Sequence, residues 1–171
     1  MNKNKEDTSD MDQINTLDLK AYISNAVTSV FEAMLDMDVA FLDETSNSSS
    51  DGLQIVGSVS FAGKAMGSIN LRLSENFARL ITAAMLDMEE DEIEGDEEVH
   101  DVVGELSNMV GGDLKSRLCD AGLTCELSIP TITSGKEFQI EPKGWTKHER
   151  FVFNYQTQTG VVDVYLKSVN S

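Results

Sequence analysis

The chain has 171 residues, 40% of them hydrophobic, which is enough for one domain with a real core and short of two ordinary ones. With 30 acidic and 13 basic residues the formal net charge is −17. Such a surface repels phosphate backbones and anionic lipid, so nucleic acid and membrane are poor partners, while a basic protein patch or an offered lysine is a compatible one.

Residues 1–14 are polar and aperiodic, which reads as a disordered tail preceding a single domain over 15–171. The N-terminal stretch carries no apolar run of the secretory type, and no segment approaches the ~20 apolar residues of a membrane span. From Leu17 the positions Leu19, Tyr22, Ile23, Ala26, Val27, Val30, Phe31, Met34 and Leu35 recur at helical spacing, with Thr16 or Asp18 as the starting cap. A short strand over 39–42 and a flexible serine-rich loop over 46–52 follow. Alternating apolar residues predict strands over 55–61 and 66–73, joined as a hairpin through 62–65. Ser74 caps a helix through Phe77, Leu80, Ile81, Ala84 and Met85.

Residues 87–101 form an acidic run, read as a solvated linker or helix start. A longer helix spans about 97–120, with Arg117 in its last turn and Gly122 just beyond, as helix ends prefer. One strand is expected over 123–132 with Pro130 near its end, then an irregular stretch over 134–148 holding Trp145. Final strands over 151–156 and 161–167 meet in a turn near Thr159 and Gly160. The order helix, strand, strand, strand thus occurs twice, with negligible identity between the halves. It predicts an α+β fold, a pseudo-repeat of helix followed by antiparallel strands, with long helices packed on the sheet. Cys119 and Cys125 lie beside apolar positions and read as small core hydrophobes in a reducing cytoplasm; His100 and His148 are isolated and read as surface residues.

The long helix carries the chemistry. Val99, Val102, Val103, Leu106, Met109 and Val110 fall on one face and form its core stripe. Opposite them Asp101, Glu105, Asn108 and Gly112, spaced four, three and four apart, project from nearly one line. Gly111 and Gly112 interrupt a helix interior, where each costs roughly 1 kcal/mol relative to alanine. They mark either tight packing or a flat surface that a partner's backbone can approach. The same Glu-x-x-Asn spacing recurs at Glu44 and Asn47, but beside the serine-rich loop, where spacing fixes no common face.

The stretch Asp101-Val102-Val103-Gly104-Glu105-Leu106-Ser107-Asn108-Met109-Val110-Gly111-Gly112 resembles the signature of the CheC/CheX/FliY family of chemotaxis phosphatases. The segments Gly57–Gly63, Gly67–Leu73 and Leu127-Ser128-Ile129-Pro130 with Gly135 are similar to that family's strands, so the resemblance covers residues 16–168. Pro130 stands 22 positions after Asn108, where the family pattern has 23. A two-site member would repeat Glu-x-x-Asn on the first helix, but Glu32 is followed three later by Leu35. The chain therefore resembles the single-site CheX type, which forms homodimers.

The resemblance implies a cytoplasmic phosphatase acting on the aspartyl phosphate of a CheY-like response regulator. Asn108 would orient the attacking water, and Glu105 would pair with the regulator's active-site lysine and fix docking. Asp101 would either position the surroundings of Glu105, contact the partner or only stabilise the acidic start of the helix through its dipole, and Gly112 would let a partner's backbone approach. No cofactor is implied for this chain, and Mg2+ is expected on the partner regulator. The alternative is a non-enzymatic CheX-like interaction or scaffold domain, which has no need of the amide. A small-molecule site would need convergent polar groups that the sequence does not display.

Overall fold

A computed structural model describes residues 9–43 and 51–168. The helix starts follow from acceptors next to them in sequence. Ser9 accepts from the Asp12 N–H at the head of α1 (Asp10–Thr16), Asp18 from the Ala21 N–H at the head of α2 (Leu19–Leu35), and Ser74 from the Phe77 N–H at the head of α3 (Glu75–Leu86). The longest helix, α4 (Asp96–Asp120), has no capping side chain at Gly95. Asp96, Glu97 and Glu98 instead place negative charge in its first turn, where the helix dipole favours it.

The presence of α1 corrects the expected tail. Ile14 is fully buried, and the Lys147 ammonium donates to the carbonyls of Ile14 and Leu17 at 3.4 and 3.0 Å. A single buried residue in so short a helix leaves no periodicity to read. Residues 1–8 lie outside the described residues, as do 44–50, which hold most of the serine-rich loop and the Glu44/Asn47 pair.

The strands of the described residues are β1 (Ala40–Phe41), β2 (Leu53–Gly63), β3 (Ala65–Ser74), β4 (Cys125–Leu127), β5 (Thr131–Lys136), β6 (Lys147–Tyr155) and β7 (Gln158–Ser168). They make one antiparallel sheet in the order β1-β6-β7-β3-β2, with β4 and β5 both on the outer edge of β2. The expected repeat is visible in the pairing. The third strands of the two halves, β3 and β7, meet at the centre, with the second strands, β2 and β6, outside them. The first strand of each half crosses to the second strand of the other, β1 onto β6 and β4/β5 onto β2. Neither half can be removed without stripping the other of an edge partner.

Two strand expectations are corrected. The strand expected over 123–132 is divided into β4 and β5. From Phe61↔Leu127 to Ser58↔Thr131, β2 advances three residues while the partner advances four, so one extra residue is bulged out. Pro130 has no N–H to give to the ladder, and Ser128 fastens the gap. The Ser128 N–H donates to the Ser60 carbonyl and the Ser60 N–H to Ser128 Oγ, each at 2.9 Å. The final hairpin turns at Gln156 and Thr157 instead of Thr159 and Gly160, with Gln156 in left-handed backbone at φ 52°. Gly160 pairs with Phe153, whose ring fills the space a Cβ would need.

The helices α2, α3 and α4 pack on one sheet face. Phe31, Phe77 and Phe153 meet there, with ring centroids 5.3–6.2 Å apart. Cys125 is buried in this core and Cys119 packs partly buried against it; both thiols are free. Burial pushes the Cys125 thiol up to about 11. Because the folded state holds this proton more tightly than the unfolded chain, the associated stability is complete at neutral pH and is lost as pH rises from 9 towards 11. Urea unfolding across that range should therefore show a steeper loss for the wild type than for Cys125→Ala.

The two helix glycines prove to have different reasons. A Cβ on Gly111 would lie 2.5 Å from Val59 Cγ2, a stiff β-branched side chain of β2. A Cβ on Gly112 would meet nothing within 4 Å. Alanine should then act in opposite directions in urea unfolding. Gly111→Ala should destabilise by about 1–3 kcal/mol through overpacking, and Gly112→Ala should stabilise by up to about 1 kcal/mol through helix propensity.

Candidate functional site

The site is built outward from the contact of α4 with β2. Gly57 leaves room for Ser107, which is buried and turns its hydroxyl back to the Val103 carbonyl at 2.7 Å. Gly111 lies on Val59, with Leu127 of β4 beside it. Gly104 faces Pro130 Cγ and Ile132 Cδ1, 3.6 and 3.7 Å from where its Cβ would stand. The helix is thereby fixed in rotation as well as in position. Val99, Val102, Val103, Leu106 and Val110 are buried as expected, whereas Met109 is only partly buried at the margin of the core.

With the rotation fixed, the opposite line points to solvent. Asp101 and Glu105 are exposed, and Asn108 and Gly112 are half-buried. All four expected residues are thus brought onto one accessible strip. Glu105 and Asn108, three apart on the helix, hold their Cβ atoms about 5–6 Å from each other, close enough for both side chains to enter one cleft of a partner. The open space over Gly112 extends the strip as bare backbone.

The pattern of pairing along α4 is more informative than exposure. Beyond Gly112 two ion pairs form within the chain. Arg117 Nε donates to Asp113 Oδ2 at 2.9 Å, which pushes the Arg117 pKa up, and Lys115 pairs with Glu126 at 3.2 Å. Before Gly112, by contrast, the side chains of Asp101, Glu105 and Asn108 have no hydrogen-bond or ion-pair partner among the described residues. The strip therefore holds an acceptor pair and an amide committed to nothing in the fold.

The approach to α4 is more ordered than a solvated linker. Residues Glu90–Glu92 form a 3-10 turn closed by a reciprocal cap between Glu89 and Glu92. Arg79 of α3 donates to the carbonyls of Glu90 and Ile93 at 3.2 and 3.3 Å, and Ile93 is buried. Among the described residues, no cluster of His, Cys, Asp or Glu is arranged to hold a metal ion, and no helix is long and apolar enough to cross a membrane.

A cavity of about 330 Å³ lies away from the strip, lined by Glu141, Lys143, Trp145, His148 and Tyr165 among others. Strand alternation places it on the opposite sheet face, because Val162, Val164 and Leu166 of β7 point into the helical core and Asp163 and Tyr165 point away. His148 is partnered there, with Nε2 3.0 Å from Asp163 Oδ1 and its ring stacked on Tyr165 at 4.2 Å. Nothing connects this cavity to Glu105 and Asn108. Sequence reasoning missed the bulge at 128–130 beside the strip; the only available sign was Pro130 inside an apparent strand.

Comparison with known proteins agrees with this fold. Residues 55–155 match the family described as chemotaxis phosphatase CheX. No curated protein matches the chain. Among solved structures, the chemotaxis protein CheX from Vibrio vulnificus is 22% identical with a TM-score of 0.75, over 88% of this chain and 97% of that one. A CheC-like superfamily protein from Shewanella sp. PV-4 is 24% identical with a TM-score of 0.72, over 90% and 99%. The CheX–CheY–BeF3–Mg2+ complex from Borrelia burgdorferi aligns at 20% identity and a TM-score of 0.66, over 88% and 99%. The matched segment contains the whole of the strip and all but the first two residues of β2, which seats it: this chain belongs to the chemotaxis phosphatase CheX family.

Proposed function

We propose that the chain is a cytoplasmic phosphatase that hydrolyses the aspartyl phosphate of a CheY-like response regulator, with Asn108 orienting the water and Glu105 docking on the regulator. The observation that carries this reading is the pair Glu105 and Asn108, uncommitted within the described residues and held on one line of a helix whose rotation is fixed by β2. The CheX–CheY complex from Borrelia burgdorferi supports the choice of partner.

The chemistry explains why these side chains suit the task. In-line attack on an acyl phosphate needs a water held opposite the leaving oxygen, much as GTPases hold theirs with a glutamine. The regulator supplies the phosphorylated aspartate, its Mg2+ and a lysine, so the helper need add little beyond that water. A carboxamide both accepts from and donates to water and carries no charge. A carboxylate in its place would be repelled by the phosphoryl oxygens. Glu105, one turn away, is the complementary partner for the regulator's lysine. Asp101 lies farther along the strip and supports the contact without touching the reacting atoms, and Gly112 allows the partner's backbone close. A homodimer presenting one site per chain completes the proposal, and sedimentation of the purified protein checks it.

Phosphate release from a phosphorylated regulator tests the mechanism. Asn108→Ala should lower the maximal rate by roughly 10²-fold or more, the scale of losing a positioned reactant. Glu105→Ala should raise the regulator concentration needed for half-maximal rate by at least about tenfold, as for loss of a desolvated charge pair. Neither change should move stability by more than about 0.5 kcal/mol, because neither side chain has a partner to lose. A wild-type rate in Asn108→Ala would sink the proposal in favour of a scaffold.

A further inference from the structure

Ile129 is the outlier on the surface. It is 85% exposed, while the other exposed large hydrophobic residues among the described ones are Met34, Leu42 and Leu86 at 39–44%. Its exposure is built in. It stands within the bulge between β4 and β5, between Ser128, locked to both backbone groups of Ser60, and Pro130, packed against Gly104. Ser128 Oγ also approaches the Ile129 carbonyl at 3.0 Å. Bulges of this kind re-aim a side chain and collect at sheet edges beside functional sites.

Its position follows from α4. Gly104 precedes Glu105 and faces Pro130, and the strip of Asp101, Glu105 and Asn108 begins about 40° around the helix from Gly104, turning outward past the sheet edge. The bulge thus lies against the side of α4 next to the strip. We propose that Ile129 is an apolar anchor of the docking surface, received by a hydrophobic patch on the same response regulator that Glu105 and Asn108 engage. This rests on the proposed function and adds a contact that carries affinity without chemistry. The occupant is the same regulator because Pro130, at the end of the bulge, packs on Gly104, the residue that precedes Glu105. The bulge supplies what the strip lacks, since Asp101, Glu105 and Asn108 offer only polar contact.

Burying an isoleucine from near-full exposure is a contribution that Ile129→Ser should remove as an increase in Kd of about tenfold to a hundredfold. Titration of the regulator, held in its phosphorylated form by beryllofluoride and Mg2+, reads this directly. In turnover, the same variant should raise the half-saturating regulator concentration by the same factor and leave the maximal rate unchanged, the signature of uniform binding. Ile129→Val should restore most of the affinity, and thermal unfolding of both variants should match the wild type. If wild-type protein neither binds the regulator nor releases phosphate, the proposed function fails and this inference falls with it. If the wild type is active and Ile129→Ser binds the regulator unchanged, the inference alone is overturned. A shift in self-association on sedimentation, with regulator affinity intact, would overturn it by assigning the residue to contact with a second copy.

Discussion

The close approach of α4 to β2 is the constraint on which the rest depends. Gly57 on the strand and Gly111 on the helix remove the side chains that would separate the two, and Ser107 and Val59 fill the space left. A helix resting on bulky side chains can rotate by repacking them, but close-packed interiors at glycine contacts leave no such freedom. The direction in which Glu105 and Asn108 point is therefore a consequence of two missing side chains on the far side of the helix. Precision at the surface is set by packing beneath it, as the proposed positioning of a water by Asn108 requires.

The sheet topology reinforces this. Because the first strand of each half pairs with the second strand of the other, β2 is held by β3 from its own half and by β4 and β5 from the other. The strand that seats α4 is thus itself fixed on both sides. The chain leads from α4 through the short turn 121–124 into β4, which pairs with the same strand that seats the helix. The acidic approach to α4 is likewise tethered, through Arg79 and the buried Ile93. Among the described residues, the charge of the strip is left without a local counter-charge while that of the following turns is neutralised by Lys115 and Arg117. The fold satisfies its own surface where no partner is needed.

Much of this was legible in the sequence. The alternation of β2 and β3, the caps at Asp18 and Ser74, and the two faces of α4 are strong periodic or local signals, and the structure reproduces them. The two glycines were legible as an anomaly but not as an explanation, because helix spacing does not say which residue meets a neighbour and which meets solvent. Only the position of Val59 separates them. The failures share a cause. The helix α1, with Ile14 as its one buried residue, is held by Lys147 from far along the chain, and the bulge is set by register against β2. Both are non-local facts that no window of sequence contains. Pro130 stands one position short of the family spacing and packs on Gly104.

That last point bears on how the surface works. A regular edge strand would have alternated its side chains and left no side chain standing clear of the edge. The extra residue breaks the alternation, and the break occurs where Pro130 meets the helix that carries Asn108. An unpaired edge is ordinarily a hazard, and a bulge with proline is one of the ways proteins blunt it against further strand pairing. Here the same device holds an exposed isoleucine between Ser128, bonded to both backbone groups of Ser60, and Pro130, packed on Gly104. A rigid apolar group loses little entropy when buried, so it contributes to association more fully than a mobile one. The bulge can thus deter one kind of contact, strand on strand, while favouring another, side chain into a hydrophobic patch, and the helix beside it decides which partner can make the second.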